Sequence, residues 1–144
     1  LMFAARSQHL AERIQPALAR GDWVICDRFT DSTYAYQGGG RGMSETLIAQ
    51  FEQLTLNGFQ PDLTVLLDVP IAIGLARAAQ VGAPDRFESE QHAFFERARA
   101  TFLSRAKAQA RTKIIDASQS QATVQRVVLS LVEHHWRSLQ GHQP

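Results

Sequence analysis

The chain has 144 residues, 44% of them apolar and 20% charged, which excludes a disordered polymer and is enough for a single domain, 1–144, with a substantial core. Its formal charge of +1 gives no general drive toward a nucleic-acid polymer or a membrane, and no apolar run approaches the ~18 residues of a spanning helix. The one cysteine, Cys26, excludes an intrachain disulfide, points to a reducing, cytoplasmic compartment, and goes with the lack of a signal-peptide pattern. Of the 15 basic residues 13 are Arg, the side chain suited to bidentate recognition of phosphate.

Phe3, Leu10, Ile14 and Leu18 recur at helical spacing, and Gly21 supplies a stop. Trp23-Val24-Ile25-Cys26 reads as a buried strand ending at Asp27. The glycine-rich stretch Gln37–Gly42 precedes a helix capped by Ser44, with Leu47, Ile48, Phe51 and Leu54 inward and Gly58 as its stop. A second buried strand covers 63–67 and ends at Asp68. Pro70 opens the next helix, which runs to about Gln80. After the break at Gly82-Ala83-Pro84 a long helix reaches about Ala110, with Phe95, Ala98, Phe102 and Ala106 near one face. A third strand at 113–115 ends at Asp116. Ser118-x-x-Gln121 reads as a capping box for a last helix with Val124, Val128, Leu131 and Val132 inward. Alternating helices and apolar strands predict an α/β fold with a parallel sheet, whose ligands bind beyond the carboxyl ends of the strands.

Asp27-Arg28 at the first strand's mouth suits phosphoryl transfer, the carboxylate holding a Mg²⁺-bound water and the guanidinium neutralising phosphate oxygens. It suits a structural ion pair equally. Asp68 and Asp116 read better as caps or turn residues. Ser32, Thr33, Tyr36 and Gln37 can read a base edge or a sugar hydroxyl, or form a polar helix start. Gly38–Gly40 with Arg41 can present N–H groups to an anion, but a lone glycine run is more often a flexible loop. Phe3 and Arg6 share a helix face, which suits a stacked base as well as a core Phe beside a surface Arg. Arg77 and Arg86 flank the Gly-Ala-Pro break, as lid arginines or as solvated charges. His134 and His135 are adjacent, face apart, and make no metal site.

In combination, Leu-Met-Phe-Ala-Ala-Arg at 1–6, Asp-Arg-Phe-x-x-Ser-Thr-x-x-Tyr-Gln-Gly-Gly-Gly-Arg-Gly at 27–42, Pro-Asp-Leu-Thr at 61–64 and Asp-Arg-Phe-Glu at 85–88 resemble bacterial thymidylate kinases in that order. The resemblance implies a P-loop nucleotide-kinase-like parallel sheet of five strands with flanking helices, three of them in this chain. It implies transfer of the γ-phosphoryl group of ATP to dTMP with Mg²⁺, in dTTP synthesis, by a homodimer. Position by position, it implies that Arg28 contacts the dTMP phosphate and the transferring group. Asp27 would support the Mg²⁺ water shell. Arg6, Thr33 and Gln37 would surround the thymine, with Met2 and Phe3 sharing the stacking role. Tyr36 would lie against the deoxyribose, Ser32 would hold the loop, and Arg41 would line the monophosphate side. Arg77 and Arg86, in a lid over 77–90, would reach the ATP phosphates, and Ala117-Ser118 would border the adenine.

Neither lysine follows a glycine, so no Walker sequence is among the 144 residues, and Val81 stands where several such kinases have a lid Arg. The expectation is therefore a C-terminal portion of a nucleoside-monophosphate kinase, inactive alone, whose strands at 23–27 and 63–68 lack the central strand that would lie between them. A related deoxynucleoside or nucleotide kinase and a non-catalytic dimerising fragment are the competing readings.

Overall fold

The computed structural model describes residues 1–80 and 89–140. The N-terminal helical run comprises α1 (Met2–His9), a π-helical turn (Leu10–Ile14) and α2 (Gln15–Ala19). Pro16 has no N–H for the carbonyl four residues back, and the wide turn lies where that ladder is interrupted. Gly21, at φ +82°, ends the run. Leu10 and Ile14 are buried against Leu56, with Phe3, Val24, Phe29 and Phe59 around them.

The short α3 (Thr30–Thr33) passes into a π-helical stretch, Tyr34–Gly40. The glycines there do not form an open loop. A Cβ on Gly39 would collide with Thr101 Oγ1 and lie 3.0 Å from the Arg97 carbonyl oxygen, and one on Gly40 would enter the Phe94 ring. Close passage of a later helix requires these residues to be glycine.

α4 (Glu45–Leu56) begins where Ser44 Oγ accepts the Leu47 N–H and ends in left-handed Asn57 and Gly58. Its inward face keeps only Ile48 of the expected stripe. Ile48, Glu52 and Leu56 are buried, whereas Leu47, Phe51 and Leu54 are exposed. The stripe is turned because Glu52 finds hydrogen-bond partners inside the fold.

β1 (Thr64–Asp68) and β2 (Thr112–Asp116) pair in parallel, with Thr64 opposite Thr112 and Asp68 opposite Asp116. Between them come α5 (Ile71–Gln80) and α6 (Ser89–Ala108), and α7 (Gln121–Gln140) follows β2. The protein is thus a mixed α/β structure with a two-stranded parallel sheet among the described residues. The first of the three expected strands, at 23–27, is not formed. Trp23 and Ile25 are 54% and 96% exposed, and residues 22–26 are irregular. An apolar run becomes a strand only when a neighbour supplies N–H and C=O partners, and no described strand lies beside this one. The full burial expected of the other strands is also not found. In β2 only Ile115 is buried, and Leu67 and Ile114 are exposed.

Ser120, not Ser118, caps α7, accepting the Thr123 N–H on Oγ. Ser118 is unavailable because Asp116 Oδ1 binds both its N–H and its hydroxyl, at 2.8 and 2.6 Å. Asp116 is therefore the turn residue that its place after a strand suggests. Asp68 is instead held by Arg99 of α6 through two hydrogen bonds of 2.7 and 2.8 Å.

The contact between α6 and the glycines yields a stability test. Gly39→Ala should cost about 1–3 kcal/mol in urea unfolding, because the Arg97 carbonyl cannot move aside as a side chain can.

Candidate functional site

The ends of α1, α3 and the π-helical stretch converge on one group of side chains. Arg6 Nη1 donates to Thr33 Oγ1 at 2.6 Å across 27 residues of chain. The same guanidinium lies 5.5 Å from the centroid of the Phe3 ring, and Phe3 is stacked on Phe51 of α4 at 6.1 Å. Burial pulls the Arg6 pKa down, while Cys26 and Glu52 pull it back up. Arg6 has five N–H donors in a planar fork, so the bond to Thr33 leaves donors for a ligand carbonyl.

Gln37 lies four residues beyond Thr33. Its Oε1 is buried and has no hydrogen-bond partner in the structure. A buried acceptor left in this condition costs about 1–3 kcal/mol, an expense that a bound N–H would relieve. The guanidinium thus has spare donors and the amide oxygen a spare lone pair, with Thr33, the partner of Arg6, four residues before Gln37.

Arg28 stands at the entrance of this segment with φ +65°, a left-handed backbone uncommon for a residue with a Cβ. Cys26 Sγ donates to its carbonyl oxygen at 3.4 Å. The guanidinium lies 5.6 Å from the Tyr36 ring, which in turn stacks on Phe94 at 6.1 Å and meets Phe102 edge-on at 5.7 Å. Tyr36 is thereby held between Arg28 and two aromatic side chains of α6. Ser32 and Thr33 are buried, whereas Met2, Asp27 and Arg41 are exposed.

Arg77, Ala117 and Ser118 form a second group at the carboxyl end of β2. Arg77 donates to the carbonyl oxygens of Ala117, Ser118 and Gln119, at 2.6, 3.0 and 3.2 Å. The Asp116 carboxylate grips the same loop from its other side, through Ser118 and through Gln119 Nε2 at 3.0 Å. The hydrogen bonds from Gln119 and Ser118, with the charge of Arg77, hold its pKa at about 2. Arg86 lies outside the described residues.

Several side chains that no motif singled out stand behind the site. Glu52 accepts from Tyr34 Oη at 2.7 Å and from Gln60 Nε2 at 2.9 Å. Asp31 pairs with Arg105 at 2.7 Å and with Arg111 at 3.3 Å. The available signal was Glu52 itself, a carboxylate placed four residues from both Ile48 and Leu56 on the inward face of a helix.

Metal chemistry has one modest foothold. Among the described residues no group of three or more Asp, Glu, His or Cys side chains converges as a metal cage would. Mg²⁺ needs no such cage, because one or two carboxylates with waters and phosphate oxygens suffice, and exposed Asp27 beside Arg28 fits that demand.

Tyr34 provides a pH test. Burial and the Glu52 carboxylate push its phenol from 10.0 up to about 12. The fold favours the protonated phenol, so the associated stability is complete below pH 10 and is lost as pH rises toward 12. Urea midpoints across that window should fall for the wild type and fall less for Tyr34→Phe.

Residues 1–128 match the family model described as thymidylate kinase. A thymidylate kinase of Pseudomonas syringae pv. tomato is 60% identical over 126 residues, 87% of this chain and 60% of the relative. One from Pseudomonas putida is 56% identical over 133 residues, 92% of this chain and 63% of the relative. One from Cupriavidus metallidurans is 58% identical over 121 residues, 83% of this chain and 60% of the relative. The chain thus spans less than two thirds of the length of these curated relatives.

Proposed function

This chain belongs to the thymidylate kinase family, and we propose on that premise that the whole protein transfers the γ-phosphoryl group of ATP to dTMP, releasing ADP and dTDP. The observation that carries the reading is Arg6 anchored on Thr33 across 27 residues of chain, with the partnerless acceptor of Gln37 four residues further along the same helical run. Thymine presents a carbonyl to the first and an N–H to the second, and Phe3 or Met2 supplies the apolar surface against its ring. Tyr36 bounds the sugar side in this reading, Ser32 supports the segment from within, and Arg41 lines the approach of the monophosphate.

Phosphoryl transfer is mostly a matter of holding two charged groups in line and stabilising the charge that spreads over the moving oxygens. Arg28 has the charge, the exposure and the entrance position for that task, and its left-handed backbone is the kind of local strain found at working sites. Asp27 would hold Mg²⁺ through water, and the ion, when bound, neutralises charge on the phosphate oxygens. The reading assigns the phosphate loop for ATP to the length of the relatives that this chain does not span, within the five-stranded fold of P-loop kinases. Ala117 and Ser118 border the adenine. Of the two lid candidates, Arg77 has its donors committed to three carbonyls, which favours Arg86 for the ATP phosphates. A homodimer would cover the exposed Leu47, Phe51 and Leu54 of α4. A cytoplasmic setting fits the lone unpaired cysteine, and no described helix is long and apolar enough to cross a membrane.

Three measurements on the full-length protein test this. In thermal unfolding, dTMP should protect far better than UMP, and equal protection by both would overturn the assignment. Chelation of divalent ions should abolish coupled ADP release in the presence of dTMP while leaving most of that protection. Arg6→Gln should raise the KM for dTMP by roughly 10–100-fold, the worth of a charge-assisted hydrogen bond, with a smaller change in kcat.

A further inference from the structure

Behind the segment that carries Thr33 and Gln37, six side chains close into a ring. Tyr34 Oη donates to Glu52 Oε2 at 2.7 Å, and Gln60 Nε2 donates to Glu52 Oε1 at 2.9 Å. Arg111 Nη2 donates to Gln60 Oε1 at 2.9 Å and to Asp31 Oδ2 at 3.3 Å. Arg105 Nε donates to Asp31 Oδ1 at 2.7 Å, and its guanidinium carbon sits 3.4 Å from the centroid of the Tyr34 ring, which completes the circuit. Two carboxylates face two guanidinium groups, so the ring is neutral. Its members come from α3, the π-helical stretch, α4, α6 and the turns before β1 and β2.

Helix α3 opens a helical run that continues into the π-helical stretch, and its N-cap makes no side-chain hydrogen bond, so contacts to other elements fix its rotation. Asp31 and Tyr34 are three apart and point into the ring. Thr33, two residues from Asp31, projects to a different side of the helix and meets Arg6. A rotation of the helix by one residue would empty the ring and withdraw Thr33 Oγ1 from Arg6 at once. We propose that this ring sets the rotational register of the base-reading segment, which makes Asp31 and Arg105 positioning residues for selection of the acceptor nucleotide. The assignment rests on the reading of the protein as a thymidylate kinase.

The test is steady-state kinetics of the full-length enzyme, wild type against Asp31→Asn and Arg105→Lys. Asp31→Asn keeps the shape and removes the charge. Arg105→Lys keeps the charge and removes the flat stack on Tyr34. For both, the KM for dTMP should rise about tenfold while that for ATP changes less than about twofold, and the preference for dTMP over UMP should narrow. A merely structural role would lower the active fraction, hence the apparent kcat, without this split, because KM does not depend on how much enzyme is folded. Should Asp31→Asn not fold, Arg105→Lys and Tyr34→Phe carry the same comparison. An unchanged KM for dTMP, or equal rises for dTMP and ATP, overturns the ring's role while the wild type still turns over dTMP. A wild type that does not phosphorylate dTMP overturns the kinase reading itself.

Discussion

Glu52 sits on the inward face of α4 between Ile48 and Leu56, where a carboxylate without partners would cost several kcal/mol. Both its oxygens are satisfied, one by a phenol and one by an amide, and each donor is itself fixed by a guanidinium. The demand of one buried charge thus determines which way α4 turns, where Tyr34 lies, and how Arg105 and Arg111 are deployed. Asp31 pairs with both guanidinium groups, and together with Glu52 it balances their two charges within the network. Removal of a member takes one hydrogen-bond partner from each of its neighbours, which is why such a network acts as a unit.

The candidate site adjoins that network through α3. The same short helix that points Asp31 and Tyr34 inward presents Thr33 to Arg6, and the wide helical turn that follows sends Tyr36 toward α6 and leaves the Gln37 oxygen without a partner. Groups that bind a ligand must remain incompletely satisfied in the free protein, and rigid support from behind allows this without collapse. α6 supplies much of that support. It packs on the glycines at 39 and 40, flanks Tyr36 with Phe94 and Phe102, and reaches the sheet through Arg99 and Asp68.

The loop after β2 is organised differently. One guanidinium gathers three successive carbonyls, and one carboxylate takes the N–H, hydroxyl and amide groups of the same turn. Arg77, a lid candidate by its place in the chain, here stiffens a loop. An arginine near a glycine-rich break has the same appearance in sequence whether its partner is a phosphate or a carbonyl, because both are oxygen acceptors.

Local signals were legible wherever the physics is local. Ser44 caps α4 through its own hydroxyl, Gly21 and Gly58 end helices because they accept positive φ, and 64–68 and 112–116 are β-branched, apolar runs that form strands. The segment 27–42 was recognisable as a family motif because its residue types and spacing are specific. What required the three-dimensional arrangement depends on partners distant in the chain. Trp23–Cys26 has the composition of a strand but no described neighbour to bond, so it stays irregular. Leu47, Phe51 and Leu54 yielded the inward face to Glu52 because Tyr34 and Gln60 await it there. The salt bridges of Asp31 to Arg105 and Arg111 join residues 74 and 80 positions apart, and no periodicity or motif encodes a pairing over that separation. Hydrogen bonding and charge balance act through space, so the residues they unite become apparent only once the chain has brought them together.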